Sequence, residues 1–408
     1  MKQNWKKNLF SYFIIAACFA VMLYFMITQN GFQELANIVN LRKRWIIFAL
    51  CAAIAIWLLE GWSYHLLSTH VYEGWKFNYS MSAGLIGMLY SNITPFSTGG
   101  QPMQIYNLQK NGMTTGAASA IVVVRCTIYQ VALLAFSLVM VVLRLAYFTK
   151  ISSFAFLLIL ALVFNFAYVG FLVMTMRSPK ATNRVVWFFI RLLAKLHIVK
   201  KPEERFDRIH AQLALFHENV ARIGHAFKVY LATFFITFVQ FVCQCLIPYF
   251  LYVAFFYEKA VYNKEDIITI VAAQAFVLMV SYFIPTPGAS GGAEISSYGF
   301  FSKFYQDVMR GANYSLSHDP GTLQYAGYTP EAIEKVASDK LTSAIFLWRM
   351  ISFYLTIIVG SVYAAIGNRQ KPLQLKNRLF DEESLKEREL HKNSEEVFRE
   401  QKEASKKI

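Results

Sequence analysis

Long stretches of hydrophobic residues, almost free of charged positions, dominate the chain. Six of them are at least twenty residues long, at 9–28, 45–67, 117–142, 154–175, 229–257 and 341–366. A helix of about 20 apolar residues crosses a hydrocarbon core of roughly 30 Å. The pattern therefore predicts an all-α polytopic membrane protein with about six full transmembrane helices.

Two further apolar segments, 81–93 and 267–284, are too short to cross a bilayer, and each leads into a loop rich in Pro and Gly. Irregular backbone at membrane depth is tolerated only where protein buries it or where it lines a wet cavity. We therefore expect two re-entrant segments, each a helix broken at the loop. Paired interruptions of this kind indicate the substrate site of a transporter.

The two broken segments form an internal repeat. GLIGMLYSNITPFSTGGQP (84–102) and QAFVLMVSYFIPTPGASGGAE (274–294) align with a shift of 192, which places Pro95 on Pro287 and the first Gly-Gly pair on the second. A span with a single arginine follows each loop. We expect these arginines at matching depths, eight residues into spans that begin at 117 and 341. The predicted halves, about 45–175 and 229–366, form an inverted repeat, with 311–338 as an external loop.

Composition supports the membrane assignment. The chain is 56% hydrophobic and 16% charged, whereas a soluble domain carries about 25% charged residues. This excludes an ordinary cytosolic enzyme and a disordered scaffold. The net charge of +15 comes from loops beside the spans, which suits anionic lipid headgroups and predicts no direct binding of nucleic acid. The five cysteines lie in apolar runs without metal-ligand spacing, so neither disulfides nor zinc are expected.

The distribution of Lys and Arg predicts the orientation in the membrane. Residues 176–228 and 369–408 contain eleven Lys/Arg each, and basic loops favour the cytoplasmic side. We expect an integral membrane domain over 1–368 with cytoplasmic termini, a cytoplasmic amphipathic linker at 176–228 and a charged cytoplasmic tail at 369–408. Within the linker, an amphipathic helix either lies in the membrane interface or connects elements beneath the bundle.

Buried charges are the main candidates for chemistry. A charged side chain inside a span costs about 2.5–3.5 kcal/mol on insertion scales, so Arg125 and Arg349 require partners. Either they clamp a phosphate or carboxylate, or they pair with Glu60, Glu294 or loop carbonyls and lock the bundle. Glu60 is a proton site or the partner of Arg125. Glu294 caps the following half-helix, or it handles a substrate amine or a proton.

The two loops supply the remaining candidate substrate-binding residues, through polar side chains and through glycines that allow close approach to the backbone. They are Asn92, Pro95, Ser97, Thr98, Gly99, Gly100 and Gln101 in the first loop, and Pro287, Gly288, Gly291 and Gly292 in the second. No catalytic residue, metal ligand or cofactor is predicted, because the chain contains no P-loop, GxSxG or HExxH motif.

These motifs resemble a known family. NITPFSTGGQP followed by Arg125, and IPTPGASGGAE later, are similar to the lysylphosphatidylglycerol synthase transmembrane family, the flippase-like membrane region of bacterial multiple-peptide-resistance factors. The resemblance covers about 10–366 and implies motif positions at Pro95, Gly99, Gly100, Arg125, Pro287, Gly288, Gly291, Gly292 and Glu294. Many relatives carry an acidic residue in the first loop, where this chain has Gly99-Gly100-Gln101.

The resemblance implies a lipid translocase of the bacterial cytoplasmic membrane, moving a phospholipid, an aminoacyl-phospholipid or a polyprenyl-linked lipid. Its partner would be a lipid with an anionic or aminoacylated headgroup, and a separate lipid-modifying enzyme is a further candidate partner. One alternative is a phosphatidylglycerol lysyltransferase, acting alone or with a separate synthase, although no stretch outside the spans offers a place for aminoacyl transfer. The other is an ion-coupled small-solute transporter. The sequence does not indicate an oligomeric state.

Overall fold

The computed structural model describes residues 42–151, 154–195, 202–255, 264–316 and 329–367. The first predicted span, 9–28, and the tail, 369–408, lie outside these residues. Within them the chain forms helices and tight turns and contains no β-strand.

Helices account for nearly all of the described chain. The first half comprises α1 (Lys43–Val71), α2 (Phe77–Ile93), α3 (Gly100–Lys110) and α4 (Thr115–Leu143). The middle comprises α5 (Leu145–Phe148), α6 (Phe154–Arg177), α7 (Pro179–Lys195) and α8 (Pro202–His225). The second half comprises α9 (Phe227–Phe255), α10 (Lys264–Ser281), α11 (Gly292–Leu316), α12 (Pro330–Arg349), a π-helical turn (Met350–Tyr354) and α13 (Leu355–Gly367).

Five helical segments among the described residues are long and apolar enough to cross a membrane. They are α1, α4, α6, α9 and the continuous segment Pro330–Ala365 that contains α12 and most of α13. These segments coincide with five of the six predicted spans. The prediction of an all-α polytopic membrane protein is therefore confirmed.

The broken segments have the same backbone shape. A 3-10 turn at Pro95–Ser97 joins α2 to α3, and a second one at Pro287–Ala289 joins α10 to α11. We call these the first turn and the second turn. Phe96 has φ 53° and ψ 20°, and Gly288, at the equivalent position, has φ 57° and ψ 24°. The 192-residue shift therefore relates equal conformations, and the two turns pack against each other.

The helices of the two halves pack reciprocally. α1 packs along α9, while α2 contacts α13 and, in the equivalent arrangement, α10 contacts α4. Small residues allow these crossings: the Ser137 hydroxyl of α4 donates to the Ala275 carbonyl of α10 at 3.1 Å, and Gly360 of α13 lies against the Leu85 carbonyl of α2. Close approach at small residues is typical of membrane helices. The reciprocity is what two halves related by a pseudo-two-fold axis would show.

One boundary differs from the prediction. The segment 311–338, predicted as an external loop, is helical at both ends, because α11 continues to Leu316 and α12 begins at Pro330. The Thr329 hydroxyl caps α12 by accepting from the Ala332 amide at 3.3 Å. A capping Thr followed by Pro starts a helix irrespective of hydropathy. The two arginines therefore do not lie at matching distances from helix starts, since Arg349 is the last residue of α12.

The helix α7 of the linker has features of both predicted alternatives, a connector helix and a helix that lies in the membrane interface. It packs on α8 through Trp187 and Phe206, whose ring centroids are 5.1 Å apart, as a connector helix would. Phe188 and Phe189 are nevertheless exposed, which is the arrangement of an interfacial helix that inserts an apolar face.

The crossing of α13 over α2 gives a test of this packing. A Cβ atom on Gly360 would lie 2.8 Å from the Leu85 carbonyl oxygen, whereas a Cβ on Gly170, in α6, would meet nothing within 4 Å. Overpacking costs about 1–3 kcal/mol. We expect Gly360→Val to lower the apparent melting temperature in detergent by several degrees and Gly170→Val to change it little, measured by size-exclusion chromatography after heating. Equal shifts for the two variants would contradict this packing.

Candidate functional site

A buried ion pair of the first half is joined to the second half through a glutamine. Arg125 of α4 donates from Nη2 to Glu60 Oε2 of α1 at 2.5 Å and to Gln240 Oε1 of α9 at 3.0 Å. The Gln240 amide also donates to Glu60 Oε2 at 3.0 Å. Arg125 is 2% exposed. Of the two predicted interpretations, the structure contains the pair of Arg125 with Glu60, and Gln240 completes it as a third member.

This cluster uses only part of the guanidinium. Among the described residues, neither Nε nor Nη1 of Arg125 has a hydrogen-bond partner. The ring of Tyr129 lies beneath the guanidinium, 5.3 Å from Cζ to the ring centroid. A guanidinium offers five donors in a planar fork that matches the oxygens of phosphates and carboxylates. Arg125 is therefore neutralised by Glu60 and still has donors for an oxyanion.

A cavity of about 490 Å³ adjoins the ion pair. Six of the sequence-predicted site residues line it: Glu60, Asn92, Ser97, Thr98, Gln101 and Arg125. The remaining lining residues include side-chain amides and tyrosines of α3, α4, α6 and α9 that the loop motifs did not indicate, among them Gln104, Gln130, Asn165, Tyr168, Gln240 and Gln244. The only signal for them in the sequence is a polar residue within or beside an apolar run.

One wall of the cavity is also part of the hydrophobic surface of the protein. Phe164 lies midway along α6, lines the cavity and is 52% exposed. It stacks on Phe283 of the second broken segment, with ring centroids 5.5 Å apart. Since the exposed surface halfway along a spanning helix faces hydrocarbon, this wall separates a polar cavity from the acyl chains of the bilayer.

Arg349 has a different environment. Its Nε donates to Glu294 Oε1 at 2.6 Å and its Nη2 donates to the Gly288 carbonyl at 3.2 Å. The guanidinium also lies over the Trp348 and Phe353 rings, with Cζ 5.1 Å from each centroid. Arg349 does not line the 490 Å³ cavity. Arg349 therefore holds the second turn and α11 together. Of the two interpretations of Arg349 from the sequence, the structure contains the one in which it pairs with Glu294 and a loop carbonyl.

The remaining predicted loop residues shape the turns. Pro95 and Pro287 each open a 3-10 turn. A Cβ on Gly100 would lie 2.0 Å from Ser91 Oγ, and one on Gly292 would lie 2.6 Å from Ile284 Cδ1. Gly99 donates its amide to Thr94 Oγ1 at 2.8 Å, while Gly291 adopts φ 82°. The Gly-Gly pairs thus allow close packing of neighbouring residues of the chain against the backbone, where the sequence analysis expected close approach of a ligand.

Comparison with known proteins identifies the family. Residues 8–308 match the family described as "Lysylphosphatidylglycerol synthase TM region". The chain belongs to this family. The family match includes Glu60, Arg125 and both turns, and it ends before Arg349. No solved structure matches the chain.

A curated relative is similar over most of the chain. A "UPF0104 membrane protein" of Archaeoglobus fulgidus is 22% identical over 355 residues, which cover 86% of this chain and 94% of the relative. The similarity therefore extends through both halves of this member of the lysylphosphatidylglycerol synthase TM region family.

The buried pair predicts a specific pattern of stability. Removing one partner of a buried ion pair strands the other charge and costs about 3–5 kcal/mol, whereas an exposed pair contributes about 0–1 kcal/mol. We expect Glu60→Gln to lower the apparent melting temperature by several degrees. Glu265→Gln is the matched control and should change it little, because the Glu265 carboxylate, which lies 3.6 Å from Arg144, is itself exposed to solvent.

A double variant separates stranded charge from lost packing. Adding Arg125→Met to Glu60→Gln removes the uncompensated guanidinium, so the melting temperature should recover part of its loss. A double variant less stable than Glu60→Gln alone would contradict this account of the pair.

Proposed function

We propose that this chain is a lipid translocase of the bacterial cytoplasmic membrane, with both termini on the cytoplasmic side. The observation that carries the proposal is the cavity of about 490 Å³. Arg125, whose Nε and Nη1 have no hydrogen-bond partner among the described residues, lines one wall, and Phe164, exposed halfway along α6, lines another. A lipid has the same division between a phosphate headgroup and acyl chains.

The cavity addresses the main barrier to leaflet exchange, which is the passage of a polar headgroup through hydrocarbon. Moving polar groups into an apolar medium without compensating hydrogen bonds costs several kcal/mol. The cavity volume is within the range of sites for small polar molecules, and its amides, hydroxyls and guanidinium replace hydration. The acyl chains would remain outside, beyond Phe164 and Phe283, so the protein carries only the headgroup.

The first turn is the element that we expect to move most, and the second turn packs against it. They meet next to the cavity, and broken helices at a repeat interface are where transporters of several folds bind substrate. The basic linker 176–228 supports the proposed orientation. The exposed Phe164 in the cavity wall, halfway along α6, favours a lipid over a small solute, because a solute site needs no contact with hydrocarbon at this depth.

Leaflet exchange in reconstituted vesicles tests the proposal. Tail-labelled fluorescent phosphatidylglycerol is followed by its accessibility to a membrane-impermeant quencher, in vesicles with and without the purified protein. We expect the protein to accelerate exchange and Arg125→Gln to slow it at least about tenfold, the scale of one charge-assisted hydrogen bond. Arg144→Gln, which removes an arginine that pairs with Glu265 and does not line the cavity, is the matched control and should retain the wild-type rate.

Two results would contradict the proposal. One is wild-type protein that does not accelerate exchange of any tail-labelled lipid. The other is export of entrapped glycerol 3-phosphate at a rate that depends on Arg125 while lipid exchange stays at the protein-free rate, which would indicate a solute carrier.

A further inference from the structure

The cavity contains an unusual balance of charge and hydrogen-bonding groups. Among the described residues that line it, only Glu60 and Arg125 carry charge, and they pair with each other. All other lining residues are uncharged. From this balance, and given the translocase proposed above, we infer that the substrate headgroup is a phosphodiester bearing hydroxyl groups, such as a glycerol or a sugar, and not a lysyl group.

Two buried amide oxygens at the cavity wall carry the inference. Among the described residues, neither Gln130 Oε1 of α4 nor Asn165 Oδ1 of α6 has a hydrogen-bond partner. These residues are 2% and 3% exposed. Asn165 Nδ2 donates to the Ala161 carbonyl at 2.8 Å, which fixes the orientation of that amide and leaves its oxygen as the free atom. Unpaired buried acceptors are costly and are usually satisfied.

The unpaired atoms define a complementary ligand. Arg125 supplies two donors, Nε and Nη1, while Gln130 and Asn165 supply two acceptors. The non-bridging oxygens of a phosphodiester only accept, so they match the guanidinium. The two amide oxygens then require a part of the same headgroup that donates, which a hydroxyl group does.

The ammonium groups of a lysyl headgroup would also donate, but their charge does not suit this cavity. A buried cation needs an anion beside it, and a lysyl headgroup has two ammonium groups against one phosphate. Glu60 is the only acid among the described lining residues, and its Oε2 already accepts from Arg125 and Gln240. A lysyl headgroup would bring more positive charge than the cavity neutralises, whereas a hydroxyl-bearing headgroup adds donors without adding positive charge.

Binding involves movement of side chains that cover these groups. The four unpaired atoms are all buried behind the cavity surface, so the headgroup must displace lining residues to reach them. Tyr129 lies against the guanidinium, and Tyr168 approaches Cys126 Sγ through its hydroxyl at 3.6 Å. Both rings line the cavity and offer apolar faces to the carbon skeleton of a glycerol or sugar.

Lipid-dependent stabilisation of the purified full chain tests selectivity without requiring transport. The probes are short-chain phosphatidylglycerol, phosphatidylinositol, phosphatidylmethanol, phosphatidylethanolamine and lysyl-phosphatidylglycerol, titrated while the melting temperature is followed. Phosphatidylmethanol matches the charge of phosphatidylglycerol and has no hydroxyl. We expect phosphatidylglycerol or phosphatidylinositol to bind about tenfold more tightly than phosphatidylmethanol, the scale of two neutral hydrogen bonds. Which of the two binds more tightly distinguishes a glycerol from a sugar headgroup.

Asn165→Leu tests the site itself. It should remove most of the preference for phosphatidylglycerol over phosphatidylmethanol while leaving phosphatidylmethanol binding unchanged. Asn219→Leu is the matched control, because Asn219 of α8 also donates to the carbonyl four residues earlier, at 2.8 Å, and does not line the cavity. It should retain the preference, and it reports any general effect of losing such an amide.

The possible outcomes separate the inference from the proposed function. Equal binding of phosphatidylglycerol and phosphatidylmethanol, tighter binding of an aminated lipid, or a preference that survives Asn165→Leu would overturn the inference even if the vesicles show lipid exchange. Selective binding of a hydroxylated lipid that is lost in Asn165→Leu would support the inference even if the vesicles show no exchange, in which case only the translocase proposal fails.

Discussion

The need to neutralise a charged side chain within apolar helices governs the centre of this protein. Arg125 is buried between α1, α4 and α9, and it is compensated by Glu60 and Gln240 from the two other helices. Because Gln240 belongs to the second half, the same hydrogen bonds that neutralise the charge also join the halves. The arrangement positions a guanidinium at the cavity, where two of its nitrogens have no hydrogen-bond partner in the part of the chain that the structure describes. One electrostatic constraint thus links assembly of the bundle to the chemistry of the site.

The two halves share a scaffold and divide the roles of its charged groups. The turns have equal backbone angles and contact each other, yet their arginines differ. Arg349 bonds to Glu294 and to the Gly288 carbonyl of its own turn, whereas Arg125 bonds to helices α1 and α9 and lines the cavity. A symmetric scaffold therefore has one turn locked by an ion pair and one turn that borders the site.

The parts of the structure that local sequence determines were predictable. Apolar length gives the spans, and the matching Pro and Gly-Gly positions gave the two turns through the shift of 192. The sequence named Glu60 and Glu294 as possible partners of the arginines but left the pairing open, because only helix packing decides it. Gln130 and Asn165 were missed as cavity residues for the same reason, since a polar residue in an apolar run looks alike whether it faces a neighbouring helix or a cavity. The start of α12 was missed because capping at Thr329, not hydropathy, determines it.

Backbone strain is distributed unevenly between the turns, and this bears on which of them responds to a ligand. At the position where the second turn has Gly288, the first turn has Phe96 at φ 53°, while the next residue has positive φ in both turns, 55° at Ser97 and 54° at Ala289. Positive φ is disfavoured for such residues and costs of order 1–3 kcal/mol where the surroundings impose it. Phe96 and Ser97 line the cavity, whereas the second turn relieves part of this strain with glycine and is held by Arg349. The more strained and less fastened turn is thus the one that a headgroup would touch, so occupancy of the cavity acts most directly on the first turn.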